Sequence, residues 1–170
     1  MNAIKKILIV VFILFLSGIT NAQYAPWAKL SKDAPKEISA RKYPVPTKDE
    51  VGIPPYPGAV ISSVSAPRED TLKFKKEILP FVILVSKDNP EKVIDYYKKK
   101  LTKAGGWNYN DEYKTFVKGP PGSSLTGFVP AVAIRDETGE NFDLVHVDQD
   151  LKNRLKSRIE ITYDPAKKKQ

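Results

Sequence analysis

From Asn89 to Gly106 the chain carries a complete amphipathic helix, and that stretch restricts the architecture more than any other. Asn89 can cap it with Pro90 in the first helical position, or Asp88 can form a capping box with Glu91. Val93, Ile94, Tyr97, Leu101 and Ala104 recur at steps of one, three and four, the spacing of one buried helical face. Gly105 and Gly106 end it, because glycine enters the left-handed conformation that a helix C-cap uses. The rest of 59–164 is patterned for strands. Ala59–Ser65 is the first, with Thr71–Phe74 extending it or pairing with it, and Leu79–Ser86 is strongly apolar. Trp107–Tyr109 and Tyr113–Val117 flank a turn at Asn110-Asp111. Phe128–Arg135 carries Pro130, which points to an edge or a bulge. A hairpin turn around Thr138-Gly139 leads to Phe142–Val147, and Arg158–Tyr163 comes last.

One helix among so many short strands predicts an α+β domain: an antiparallel sheet of five or six strands with the main helix packed on one face. A small β-barrel with an appended helix is the alternative. Ahead of the domain, residues 23–58 hold seven of the fourteen prolines. That density excludes long helices and central strands and predicts an extended lead-in, parts of which can lie against the domain through Trp27, Tyr43 and Tyr56. Residues 165–170 form a basic tail.

The first 22 residues have the layout of an export signal. Lys5 and Lys6 precede ten unbroken apolar residues, Ile7–Leu16, and a small-residue end predicts cleavage between Ala22 and Gln23. Ten to thirteen apolar residues fall short of the roughly 20 needed to span a bilayer as a helix. The expected product is therefore periplasmic or secreted, and not an integral membrane protein once the signal is removed. The chain has no cysteine and one histidine, which excludes disulfide scaffolds, cysteine nucleophiles, cysteine-ligated metal sites and any mechanism needing two histidines. Stability in an exported chain without thiols must come from packing. A composition with 41% hydrophobic and 28% charged residues excludes wholesale disorder.

After the signal is removed, 26 of the 28 basic residues remain against 20 acidic ones. The excess sits in Lys98-Lys99-Lys100 with Lys103, in Lys152, Arg154, Lys156 and Arg158, and in Lys167–Lys169. Attraction to an anionic envelope surface is one reading, and solvated faces that keep the protein soluble are the other. Basic stripes without stacking aromatics or a recognisable module speak against nucleic acid.

Three sets of residues carry candidate chemistry. His146, Asp148 and Asp150 would share one face of an extended strand and could hold a divalent ion, with Asp143 on the other face. Equally, a hairpin of 142–150 with 155–163 would place these acids opposite Lys152, Arg154, Lys156 and Arg158, with Leu151, Leu155, Ile159, Ile161 and Tyr163 facing the core. The four aromatics Tyr56, Tyr96, Trp107 and Tyr109 could line a ligand cleft, and core or rim packing explains the same residues. Gly122–Gly127 has the spacing of a phosphate loop, but Phe128-Val129 follows where Lys and Ser or Thr are required. No serine stands in a nucleophile-elbow context, so no catalytic residue and no cofactor is assigned.

Tyr56-Pro57-Gly58-Ala59, then Val93-x-x-Tyr96-Tyr97-x-x-x-Leu101, then Gly106-Trp107 resembles a pattern in small exported bacterial proteins of unassigned function. The resemblance covers about 56–117, with Tyr96 standing where phenylalanine is common. It implies a compact α+β domain outside the cytoplasm and brings no catalytic residue with it. The expected function is a non-catalytic exported domain that binds an envelope protein or a small ligand. A metal-dependent hydrolase built on His146, Asp148 and Asp150, and an electrostatic binder of anionic surfaces, are the rival expectations.

Overall fold

A computed structural model describes residues 28–30, 45–70, 76–120, 127–137 and 149–165. The elements, in chain order, are β1 (Lys29–Leu30), α1 (Lys48–Val51), β2 (Val60–Ser65), β3 (Arg68–Asp70), β4 (Lys76–Ile78), β5 (Phe81–Ser86), α2 (Pro90–Ala104), β6 (Trp107–Asn110), β7 (Thr115–Lys118), β8 (Ala131–Asp136), α3 (Gln149–Lys152) and β9 (Ser157–Thr162). Six antiparallel strands form the main sheet in the order β2-β5-β9-β8-β7-β6, and β1 adds two residues in parallel beside β2. The fold is α+β, with α2 as its main helix. Strands β3 and β4 pair separately, flanking the expected Thr71–Phe74 strand, which lies outside the described residues.

The route of the chain follows from the length of α2. Its 15 residues span about 22 Å at 1.5 Å per residue. The four spacings from β5 to β6 total about 19 Å. One helix therefore suffices to carry the chain from the sheet interior to its far edge. From there β6, β7, β8 and β9 return inward, and β9 closes against β5.

Strand register places two apolar rows under the helix. Val64, Val82, Ile161, Val132, Phe116 and Tyr109 stand side by side across six strands, and Ile61, Leu84, Ile159 and Ile134 form a second row. From above, Val93, Ile94, Tyr97 and Leu101 close on them, as the helical spacing predicts, whereas Ala104 is exposed. The opposite face is also buried at its centre, through Ile83, Val85, Ala131 and Val117. This explains why β5 reads as an unbroken apolar run without alternation: Val82 to Ser86 are all buried.

At the N-terminus of α2 the structure selects Asn89 as the cap, its side chain accepting from the Lys92 N–H, with Pro90 in the first turn. Two serines anchor this end. Ser86 Oγ accepts from the Asp88 N–H, and Ser157 Oγ donates to the Asp88 carbonyl from β9.

Three expectations are corrected. Pro130 lies just before β8, where its carbonyl accepts from the Lys118 N–H, so β8 is an interior strand between β7 and β9. Both edges of β9 are taken, by β5 and β8, so the hairpin of 142–150 with 155–163 does not form along it. Leu151 and Leu155 accordingly do not join Ile159, Ile161 and Tyr163: they pack on Val85, which belongs to the other face of the sheet. The lead-in, expected to be extended, turns helical at Lys48–Val51; Tyr56 lies against the domain as expected, and Ala28, Val51 and Ile53 are buried in the same core. Among the described residues no helix is long and apolar enough to cross a membrane.

Candidate functional site

The four aromatics occupy two places. Tyr56 and Tyr96 meet edge to face, with ring centroids 5.2 Å apart, beside the turn that leads into β2. That turn closes with the Ala59 N–H on the Tyr56 carbonyl and with Gly58 at φ 78°, a conformation that glycine adopts without strain. Tyr56 is buried and donates its hydroxyl to Asp88 Oδ2 at 2.7 Å, and Tyr96 donates to the Pro55 carbonyl at 3.0 Å. Trp107 and Tyr109 lie on the far-edge strand β6, where Tyr109 packs against Phe116 at 4.6 Å and Lys98 Nζ sits 4.6 Å above its ring. On the opposite flank of α2, Lys100 Nζ lies 5.8 Å from the Tyr96 ring centre.

These environments push the phenols one way. Burial, then the Asp88 carboxylate, raises the Tyr56 pKa, and burial raises those of Tyr96, Tyr97 and Tyr109. Tyr163 is pushed up to about 12 by burial and by Glu50. All five keep their protons across the physiological range and are poor bases or nucleophiles there.

Asp88 is shifted the other way. Lys92, at 2.9 Å, and the Tyr56 hydroxyl hold its carboxyl below the usual aspartate range. A depressed folded-state pKa contributes stability above the unfolded value of about 3.9 and loses it as acid titrates the folded carboxyl. Tyr56→Phe is expected to cost about 1 kcal/mol at pH 7, since Asp88 is partly exposed and keeps Lys92. The cost should be smaller at acid pH below the unfolded value, to the extent that acid titrates the folded carboxyl. Urea melts at the two pH values check this, and an equal cost at both would exclude the ionised acceptor.

Of the metal candidates, Asp150 is exposed on α3 and forms an ion pair with Arg154 one turn later. It thus stands on a short helix rather than the expected strand. His146, Asp148 and Asp143 lie outside the described residues, as do Phe142–Val147, the Thr138-Gly139 turn and 121–126 of the glycine loop. Among the described residues no three His, Cys, Asp or Glu side chains gather to hold a metal.

Elsewhere the described residues line a cleft of about 530 Å³ between α1 with the segment after it and the C-terminal end of α2. Its apolar lining includes Val51, Ile53, Pro54, Leu101 and Trp107, and its charged lining includes Asp49, Lys100, Lys118 and Asp164. Trp107 is the one expected aromatic that reaches it; Tyr56, Tyr96 and Tyr109 do not. The α1 wall is held by a capping box: Glu50 accepts from the Thr47 N–H at 2.7 Å while Thr47 Oγ1 accepts from the Glu50 N–H at 3.3 Å. Gly52, left-handed at φ 63°, then turns the chain so that Val51 and Ile53 are both buried. Opposite, Trp107 and Lys118 are cross-strand partners on β6 and β7, and Gly119 donates to the Gly106 carbonyl. The Thr47-x-x-Glu50 spacing was the sequence signal for this wall, inside a stretch whose prolines suggested extended chain throughout. Comparison with protein-family models, with characterised proteins and with solved structures found no match to this chain.

Proposed function

We propose that this is an exported, non-catalytic binding domain whose ligand or envelope partner docks in the cleft between α1 and the end of α2. The observation that carries the reading is the cleft itself. At about 530 Å³ it falls within the range of roughly 300–1,000 Å³ typical of ligand sites. It combines an apolar floor with a few charged groups, as such sites do. The raised tyrosine pKa values fit a role in holding and packing rather than in proton transfer. Export is supported by the charged start, apolar run and small-residue end of residues 1–22.

Two measurements test the proposal. Amide and indole NMR shifts on titration with p-cresol, a neutral aromatic probe, should converge on Val51–Pro54, Leu101 and the Trp107 indole, and Trp107→Ala should weaken them at least fivefold. Shifts scattered over other surfaces, or none, would remove the cleft as the site. Intact-mass analysis of protein from the expressing cell should find a chain beginning at Gln23 outside the cytoplasm; a full-length chain retained in the cytoplasm would end the exported reading.

A further inference from the structure

We infer that the cleft takes a short peptide and reads both of its charged ends; this rests on the cleft being the binding site. Its charges are sorted by structural element. Asp49 on α1 and Asp164 just after β9 bring carboxylates and Lys118 on β7 an ammonium, while Lys100 on α2 also lines the cleft with its Nζ 5.8 Å from the Tyr96 ring centre. Glu50 also lines the cleft, but its carboxylate is engaged by Thr47. Asp49, Asp164 and Lys118 are exposed and form no ion pair among the described residues. The free protein therefore holds opposite charges around one apolar floor without letting them neutralise each other.

A purely anionic ligand would satisfy the lysines and be repelled by the two aspartates, and a purely cationic one would meet the reverse. A ligand with an ammonium at one end, a carboxylate at the other and an apolar body between them matches every group. Trp107 offers that body a flat apolar face, and its register opposite Lys118 puts the two side chains on the same face of the sheet. Size agrees as well. An extended tripeptide is about 10 Å long at 3.3–3.6 Å per residue, suited to a cleft of about 530 Å³.

The test is calorimetric titration of the protein with Ala-Leu-Ala, in parallel with its N-acetylated form, its C-amidated form and phosphocholine. The free tripeptide should bind best, and each blocked form at least fivefold more weakly. Asp49→Asn with Asp164→Asn should abolish the penalty for acetylation while keeping the penalty for amidation, and Lys118→Gln should do the reverse. All three positions are exposed, so these variants should fold as the parent does. Blocked peptides binding as tightly as the free one, charge variants leaving both penalties intact, or phosphocholine outcompeting the tripeptide would each overturn the inference. If p-cresol still shifts the cleft residues in that case, the failure lies with the ligand class and not with the cleft.

Discussion

Leu101→Asp should unfold the domain at room temperature, or lower its stability by about 4 kcal/mol or more. Leu101 is 2% exposed and packs in the main core with Tyr97 and Val93, one and two turns earlier on α2. A carboxylate there would be surrounded by apolar groups. It must either stay ionised without a partner or take up a proton, and both options cost several kcal/mol. Set against a total stability of 5–15 kcal/mol for a typical domain, the loss is a large share of the whole. Thr102→Asp is the control: the next position is exposed, and a new negative charge near the helix C-terminus should cost less than about 1 kcal/mol. Circular-dichroism melts of the three proteins give the comparison. A Leu101→Asp melt that overlays the parent would mean that α2 does not bury this face.

Tyr97 gives the second large effect and a test of its cause. It is fully buried, packs edge to face on Tyr96 and contacts Phe116, yet among the described residues its hydroxyl makes no hydrogen bond of ordinary geometry, the Tyr56 backbone being the one polar group that acts on it as a weak donor. Tyr97→Ala removes the ring and leaves a cavity under the helix, with an expected loss of about 3–5 kcal/mol. Tyr97→Phe keeps the ring and deletes only a buried, poorly bonded oxygen, so it should leave stability unchanged or raise it by up to about 1 kcal/mol. Urea denaturation with a common slope separates the two. If the Phe variant instead loses more than 1 kcal/mol, the hydroxyl is bonded in solution and the core here is wetter than its packing indicates.

Much of this architecture was legible because it rests on short-range pattern. The helix limits, its Asn89 cap, its buried face and its glycine stop are all encoded within about 18 neighbouring residues. The apolar stretch that became β5 was legible in the same way, although its lack of alternation concealed that both faces are covered. Three readings went astray where a local signal met a long-range fact. Pro130 suggested an edge strand, yet it sits one residue outside an interior one and uses its carbonyl there. The alternating charges suggested a hairpin of 155–163 with 142–150, but β5 and β8 had already claimed both sides of Ser157–Thr162. The prolines of 23–58 obscured Thr47–Val51, where a capping box and Gly52 fold a helical turn onto the core.

The candidate site was less legible than the fold. Of the aromatics singled out, Tyr56 is a core residue that braces Asp88, and only Trp107 lines the cleft. The residues that complete the cleft come from α1, α2, β7 and the segment after β9, positions as far apart in the chain as Asp49 and Asp164.

By itself the amino-acid order determined the helix, the strand-rich remainder and the chemistries that a chain without cysteine lacks. Each of these depends on residues within a few turns of one another, or on composition alone. Tertiary structure decided which strands are neighbours, which tyrosines are buried and where a cavity opens. Those outcomes depend on contacts between residues tens of positions apart, as Phe81 and Thr162 are, and such contacts are set by how whole faces pack rather than by any local spacing.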